Sequence, residues 1–473
     1  MRNSLRVVVV GITVVLLALG AFAQERGAST GKAAPMASPR GPQLGQIVTP
    51  ASSIERAEDA GLRAHTNVVV KSLDGVKPFA LTSSQTNSFA GITPDTVTTI
   101  ETPESLGCLY VQSPNHVSTG CVPNFYAGHG GGPSSAGWGA IALVDAYDNP
   151  NASTDLTNFD KYFGLPAAHF TKIEMGNSCT SPPPDPGWAL EESLDIEWSH
   201  VYAPKAEIVL VEACSSSYGD LLAAESEAIA YIQYYYGGGQ VSNSWGSGEF
   251  SGENSYDGYF TAQSEYYYIP EVTFASAGDS GCGAAYPSSN PWLVSAGGTT
   301  VNRNASTYTF NNESCWSGSG GGTSAYETTG AATDYQYPIF GGGAARQTPD
   351  FAHDADPNSP VAIYAQYYGQ YYGVCTTYPT CFFGVGGTSV ASPSLAGIVN
   401  RSSNKLSTWF GNYVDSYGFF YAGENTLLYS QLETATAYYK NFYDITTGSN
   451  GCTVTYQWDY CTGVGSPRGL LGK

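Results

Sequence analysis

From about Thr93 onward, apolar runs short enough for buried strands alternate with longer helical stretches, and this alternation constrains the chain more than any other feature. Ala140 to Val144, Ile208 to Val211, Val272 to Ala275 and Leu293 to Val294 read as strands, with Ala189 to His200 and Leu221 to Tyr236 helical between them. Parallel neighbours cannot be joined by a tight turn. Each needs a crossover, usually a helix, which covers one face of the sheet. The expected fold class is therefore α/β, with a mainly parallel sheet and helices on both faces. A length of 473 residues, 42% of them apolar, allows one large domain of this kind with extensions, or two or three ordinary domains.

The first residues are of another character. Arg2 and Arg6 precede the apolar run Val7 to Leu19, and Ala21-Phe22-Ala23 stands before Gln24. This pattern predicts a signal peptide over residues 1–23, since the run is too short and wrongly flanked for a spanning helix. Residues 24–92, rich in Ala, Ser, Thr, Gly and Pro, read as a leader or linker (a reduced propeptide) with one short ordered segment near Asn67 to Val70. Residues 93–473 form the main domain. The protein is expected to be secreted, with no membrane contact once the signal is removed. Forty acidic against 19 basic residues give a formal charge of −21. Such a surface repels nucleic acid and anionic membranes and suits an acidic medium, although simple solubility accounts for it equally well.

Ten cysteines and no C-x-x-C agree with an oxidising compartment. The close pairs Cys108/Cys121, Cys375/Cys381 and Cys452/Cys461 suggest local loops, leaving Cys179/Cys214 and Cys282/Cys315 as longer bridges. Spacing does not decide between this and other connectivities.

Candidate chemistry begins at Gly386-Gly387-Thr388-Ser389-Val390-Ala391-Ser392-Pro393. Two glycines permit a tight turn, small residues open a helix, and a serine at that junction exposes its hydroxyl near the positive helix end. Helix capping is the bland alternative. Gly321-Gly322-Thr323-Ser324 repeats the short string without the following helix and is expected to be a loop. A nucleophilic serine needs a base. None of the six histidines (His65, His116, His129, His169, His200, His353) lies in an H-G-T-H context, though folding can bring any of them near. The other candidate is Glu191-Glu192-Ser193-Leu194-Asp195. On a helix, Glu191 and Asp195 are i and i+4 on one face, where two carboxyls can share a proton and act below neutral pH. Glu192 and Glu197 are expected to point elsewhere. Ser276-Ala277-Gly278-Asp279 follows a strand, where a protonated Asp279 can donate to an oxyanion; a turn aspartate is the bland alternative.

In the order E-x-x-L-D, S-x-G-D-x-G, G-T-S-x-A-x-P, these segments resemble the sedolisin, or serine-carboxyl peptidase, family. Ala140 to Asp145, Val241-Ser-Asn-Ser-Trp-Gly, Tyr286-Pro, Gly297-Gly-Thr and Pro349-Asp350 extend the resemblance over about residues 93 to 467. It implies a subtilisin-like fold that hydrolyses peptide bonds of protein or peptide substrates in acid, at about pH 3 to 5 if the base stays near an ordinary carboxyl. By position, Ser389 is the nucleophile, Glu191 the base, Asp195 its partner and Asp279 the oxyanion donor, with Asp145 and Trp245 supporting them. The resemblance also implies a Ca2+ loop of Asp444, Ile445, Thr455, Gln457 and Asp459, of which Thr455 and Gln457 stand where the family usually has glycines. A Cys452–Cys461 bridge would clamp that loop. The alternatives are a histidine-based subtilisin relative and a catalytically silent binding protein on the same scaffold.

Overall fold

Successive side chains of a strand face opposite sides of a sheet, and the central strands here bury both sides. The structure, a computed structural model, describes residues 46–71, 100–112, 137–261, 271–304, 309–329, 334–341, 345–375, 381–402, 413–414, 420–421 and 423–473. The expected signal peptide, His116, His129 and Cys121 lie outside these residues.

Three strands precede the main sheet: β1 (Ile47–Val48), β2 (His65–Thr66) and β3 (Val69–Lys71). Then come β4 (Ala140–Ala146), β5 (His169–Glu174), β6 (Glu207–Ala213), β7 (Gly239–Asn243), β8 (Trp245–Gly248), β9 (Glu271–Ser276), β10 (Ala285–Tyr286), β11 (Val294–Arg303) and β12 (Phe310–Cys315). The last used here are β13 (Thr323–Thr328), β14 (Ala345–Gln347), β15 (Phe351–Asp354), β16 (Val361–Tyr364) and β17 (Phe382–Gly386). The helices are α1 (Pro103–Gly107), α2 (Ala152–Phe163), α3 (Pro186–Tyr202), α4 (Tyr218–Tyr236), α5 (Tyr337–Phe340), α6 (Gln366–Tyr371) and α7 (Thr388–Ser402).

An 8-stranded sheet runs β12-β11-β9-β7-β4-β6-β5, with β15 also on β11. Only β12 is antiparallel to its neighbour. Ile141, Leu143, Ile208 and Leu210 face one core with Leu190 and Leu194 of α3 and Val390 and Leu395 of α7. Ala142, Val144, Val209 and Val211 face the other, against Leu221, Ile229 and Ile232 of α4. Full burial of each such Val, Leu or Ile contributes about 1.5–3 kcal/mol. The expected layers are therefore present, and the strands and helices read from sequence fall at their predicted places, except that β11 starts at Val294 and leaves Leu293 outside it.

Local signals set the helix starts. Asp185 caps α3, accepting from the N–H groups of Gly187 (2.9 Å) and Trp188 (3.0 Å), and Pro186 opens the helix without needing a partner. Ser217 caps α4 by accepting from Asp220 N–H at 3.2 Å.

Two expectations need correction. The disulfides include Cys179–Cys214 and Cys375–Cys381 as expected, but Cys282 pairs with Cys452 and Cys315 with Cys461. Residues 447–450 run beside both upstream cysteines: Cys315 N–H donates to Thr447 O and Cys282 N–H to Asn450 O, each at 2.8 Å. That path carries Cys452 away from Cys461. Cys108 is also disulfide-bonded. Secondly, Thr323 and Ser324 begin strand β13 instead of a loop, and the Ser324 hydroxyl donates to Glu249.

Candidate active site

Every residue of α3 from Gly187 to Tyr202 is buried, although the helix carries Glu191, Glu192, Asp195 and Glu197. Burial of an ionised carboxylate without a cation is so costly that such groups take up protons instead. Glu191 and Asp195 share one face, as the i, i+4 spacing predicts, and Asp145 at the end of β4 lies beside both. Burial, then the charge of Asp145, pushes each well above the usual carboxyl range. Asp145 is itself raised by burial and by Glu212. Neither oxygen of Glu191 or Asp145 has a hydrogen bond. Asp195 is better held, with Oδ1 accepting from the Ser244 hydroxyl at 2.8 Å.

Strand β17 ends at Gly386, and Gly387 turns the chain into α7 with φ +109°. A Cβ there would lie 2.1 Å from the carbonyl oxygen of Asn67 and 2.6 Å from Asp279 Oδ2, so only glycine fits. The turn places Ser389 in the first turn of α7. Its hydroxyl donates to the Ser244 carbonyl (3.2 Å) and accepts from Asn67 N–H (3.1 Å). It is close enough to Glu191 to pull that carboxyl's proton affinity down, though here it is turned toward Ser244. Pro393 lies four residues beyond Ser389 inside α7 and has no N–H. The Ser389 carbonyl is thereby released from the helix ladder, and the Ser244 hydroxyl lies 3.4 Å from it.

Asp279 reaches the same turn from the loop after β9. Its Oδ1 accepts from Thr388 N–H (2.8 Å) and from the Thr388 hydroxyl (2.9 Å). The residue is partly exposed, but Oδ2 is buried and unpaired, and burial raises the carboxyl to about 7. Below that pH Asp279 is neutral, and with Oδ1 occupied as an acceptor the proton resides on Oδ2. The structure thus brings Glu191, Asp195, Asp279 and Ser389 around one point at the carboxyl ends of parallel strands, where clefts form in such sheets.

None of the described histidines bonds to Ser389. His353 accepts or donates at Tyr202 Oη (2.8 Å) and is lowered by burial to about 3, while His200 binds Pro166 O (2.9 Å) and is lowered by burial to about 4.

The expected supports are also close. Trp245 Nε1 donates to Val144 O at 2.8 Å, fixing β8 against the end of β4. Glu197 accepts from Tyr364 N–H at 2.9 Å, away from the site. Glu192 does not escape the carboxyl cluster: after burial, Glu212 and Asp145 raise it, with Lys172 opposing. Two contributors escaped the sequence reading. Ser244 joins Asp195 to Ser389, and Asn67 N–H donates to Ser389 Oγ. Neither carries a local signal, since each acts through residues far away in the chain.

Two oxygen-rich clusters lie elsewhere. Carboxylate oxygens of Asp148, Glu174 and Glu212 lie within 4.8 Å of one another and can hold a metal ion, but the Lys172 ammonium already binds Asp148 and, at 2.7 Å, Glu212. Near the C-terminus, Asp444 Oδ1 accepts from Gln457 N–H and Tyr438 Oη, both at 3.0 Å. Asp459 Oδ1 accepts from the N–H groups of Cys461 and Thr462, both at 2.8 Å. Thr455 turns its hydroxyl to Trp458 O (2.6 Å), Gln457 adopts φ +69°, and Ile445 is buried. Burial raises Asp459 to about 6, and repulsion from Asp444 adds to the rise. The paired hard-oxygen carboxylates therefore fit a divalent cation, which would remove that repulsion.

No family model matches the chain. Kumamolisin of Bacillus sp. (strain MN-32) is 28% identical over 363 residues, 70% of this chain and 58% of that protein. Sedolisin of Pseudomonas sp. (strain 101) is 28% identical over 197 residues, 38% of this chain and 28% of that protein. The chain thus spans less than two thirds of the length of either curated relative. Among solved structures, Pseudomonas sedolisin, a serine-carboxyl proteinase complexed with two molecules of pseudo-iodotyrostatin, aligns with a TM-score of 0.58 at 20% identity. That alignment covers 79% of this chain and 96% of the other, and shows the subtilisin-like α/β fold. That fold and the two curated matches support membership of the sedolisin family.

Proposed function

We propose that the protein is an exported, acid-acting serine-carboxyl endopeptidase that hydrolyses peptide bonds in proteins. The observation that carries this reading is the convergence of the Ser389 hydroxyl, the buried Glu191–Asp195–Asp145 carboxyls and the unpaired Asp279 Oδ2 at the start of one helix. Ser389 Oγ attacks the substrate carbonyl carbon. Its proton passes to Glu191 when the carboxyl cluster has an ionised member to receive it, and Asp195, held by Ser244, keeps Glu191 oriented. The Ser389 N–H and the Asp279 carboxyl stabilise the oxyanion, a term worth about 10²–10³ in rate per donor. Glu191 then returns the proton to the leaving amine, and water releases the acyl group.

The rate should be greatest in acid and fall as pH rises through about 7, where Asp279 loses its proton. The acid side belongs to the coupled carboxyls as a group. The test is a pH–rate profile on denatured protein beside Ser389→Ala, Glu191→Gln and Asp195→Asn. An optimum above pH 7, or full activity of Glu191→Gln, would remove the mechanism.

Calcium belongs to the same proposal as a structural ion. The carboxylates of Asp444 and Asp459, with backbone carbonyls of Ile445, Thr455 and Gln457, would hold it. Bound there, it clamps the C-terminal loop and takes no part in the chemistry.

A further inference from the structure

An amine, an amide and a carboxyl group from three parts of the chain are buried together near the C-terminus, and the chemistry described above uses none of them. α8 (Gly423–Ser430) carries Glu424, and α9 (Ala435–Asn441) ends on Asn441. Lys473 completes the group, and all three residues are buried. Lys473 Nζ donates to the backbone carbonyls of Asn441 (2.9 Å) and Leu471 (2.8 Å) and lies 4.5 Å from the centroid of the Phe442 ring. The backbone on both sides is fixed. Arg468 N–H also donates to Asn441 O (2.9 Å), and the Ser402 hydroxyl donates to Lys473 O (2.7 Å).

The Asn441 side chain is held from one end only. Its Nδ2 donates to Gln431 Oε1 at 2.8 Å, while its Oδ1 is buried and accepts nothing. A Cβ on Gly472 would lie 2.9 Å from Asn441 Nδ2 and 3.1 Å from Asn441 Cβ, so the amide rests against the residue that precedes Lys473. Both carboxyl oxygens of Glu424 are buried without a hydrogen bond, and the titratable group that acts on them is Lys473. A lysine amine is a nucleophile only when neutral, and a carboxyl gives up a proton only when it has one. Burial supplies both conditions. It lowers Lys473 to about 7, with Glu424 opposing, and raises Glu424 to about 8, with Lys473 opposing. As plain packing the trio is costly. In acid the amine takes a proton while Glu424 is already neutral, which leaves a buried cation without a counter-charge.

We propose that the folded chain joins Lys473 to Asn441 by an isopeptide bond between Nζ and Cγ, with Glu424 carrying the protons. The inference does not depend on the peptidase reading. Nζ attacks Cγ as Glu424 gives its proton to Oδ1, and Glu424 then takes a proton from Nζ. The Cγ–Nδ2 bond breaks, with Nδ2 leaving as ammonia on a proton from Glu424. The Oδ1 proton returns to Glu424, so the carboxyl ends as it began. One C–N bond forms, one breaks, and nothing is oxidised or reduced. The product is an amide, neutral at every pH, so the buried cation no longer arises in acid. It also closes a covalent ring around residues 441–473, which include Asp444 and Asp459, and restricts the unfolded chain as a disulfide does.

The test uses the full chain in a Ser389→Ala background, held overnight at pH 7.5, reduced, alkylated and digested with trypsin. Cuts after Lys440 and Arg468 release residues 441–468 and 469–473. The expected result is one joined species, lighter than the sum of the two peptides by one ammonia, with fragmentation placing the bridge between Asn441 and Lys473. Lys473→Arg and Asn441→Ala should yield the two peptides apart. In Glu424→Gln, checked for native circular dichroism, joining should slow by about 10²–10⁴, the range for a positioned proton donor, so that little is joined when the parent is complete. Separate, unaltered peptides from the parent chain overturn the proposal, and so does a bridge at any other residue. Joining of Glu424→Gln to the parent's extent overturns the part given to Glu424.

Discussion

Replacing Asp155 by Asn should make the fold less sensitive to rising pH. Asp155 lies in the first turn of α2, fully buried, accepting from the Ser193 hydroxyl and from Gln366 N–H, both at 3.2 Å. Burial raises its carboxyl from 3.8 to about 8, against those hydrogen bonds. A carboxyl with a raised native pKa binds more protons in the folded state, so its stability contribution is complete below the unfolded value and is lost as pH climbs toward the folded one. Between pH 5 and pH 7 the unfolded chain has Asp155 ionised and the folded chain does not. The ceiling on the loss is about 1.36 kcal/mol per pH unit, or about 2.7 kcal/mol over that interval. Relaxation and water entry soften real interiors, so about half of that, on the order of 1.4 kcal/mol, is the working figure. Asn has a similar shape and nothing to ionise. Urea unfolding at pH 5, 6, 7 and 8, in a Ser389→Ala background that prevents self-digestion, measures the difference. The Asp155→Asn variant should gain on its parent by about tenfold in folding constant from pH 5 to pH 7. A constant difference across that range would refute the idea that burial keeps Asp155 protonated.

Ser389→Ala should lower kcat by several orders of magnitude, on the order of 10⁶ as in other serine nucleophiles, whereas Ser324→Ala, with its hydroxyl on Glu249, should leave turnover nearly unchanged in the same assay. Asp279→Ala should lose about 10²–10³ in kcat and Asp279→Asn less, with a weaker alkaline fall-off; equal loss in both would make Asp279 purely structural. Adding millimolar calcium to metal-stripped protein should raise the thermal midpoint with concentration, and no shift together with no calcium on elemental analysis would dispose of the Asp444–Asp459 site.

The sequence was most legible where the argument is local. The buried strand at Ala140 to Val144 and the i, i+4 placement of Glu191 and Asp195 appear as predicted, and the split of Ile141/Leu143 from Ala142/Val144 between two cores follows from strand geometry. The glycine turn before Ser389 was readable because φ +109° excludes other residues. Pairings over long distances were not. Cys452 and Cys461 are near in sequence, yet each takes a partner more than a hundred residues away, since strand order and not spacing sets their neighbours. Asn67 and Ser389 are 322 positions apart, and nothing in an Ala/Ser/Thr-rich leader marks an asparagine as the residue that meets Ser389. The order near Asn67 to Val70 was visible in its apolar run; its destination required the fold.

On the proposed mechanism, the carboxyl cluster ties activity and stability to one condition. Asp145, Glu191, Glu192 and Asp195 are completely buried. Among the described residues the cation that acts on them is Lys172, which opposes the rise of Glu192 from its place on Asp148 and Glu212. In neutral water such a group would be driven to ionise together, at an energy the surrounding strands cannot return. In acid it holds its protons, and the loss of a single one leaves a base beside Ser389 at modest cost, because the remaining charge is shared. Asp279 adds the complementary requirement, since it donates only below about 7. A histidine in place of Glu191 would reverse this balance, being charged and buried under the conditions that keep the other carboxyls neutral. On the proposed mechanism, an acid preference would follow from how much carboxyl the fold buries around Ser389, and not from the surface charge.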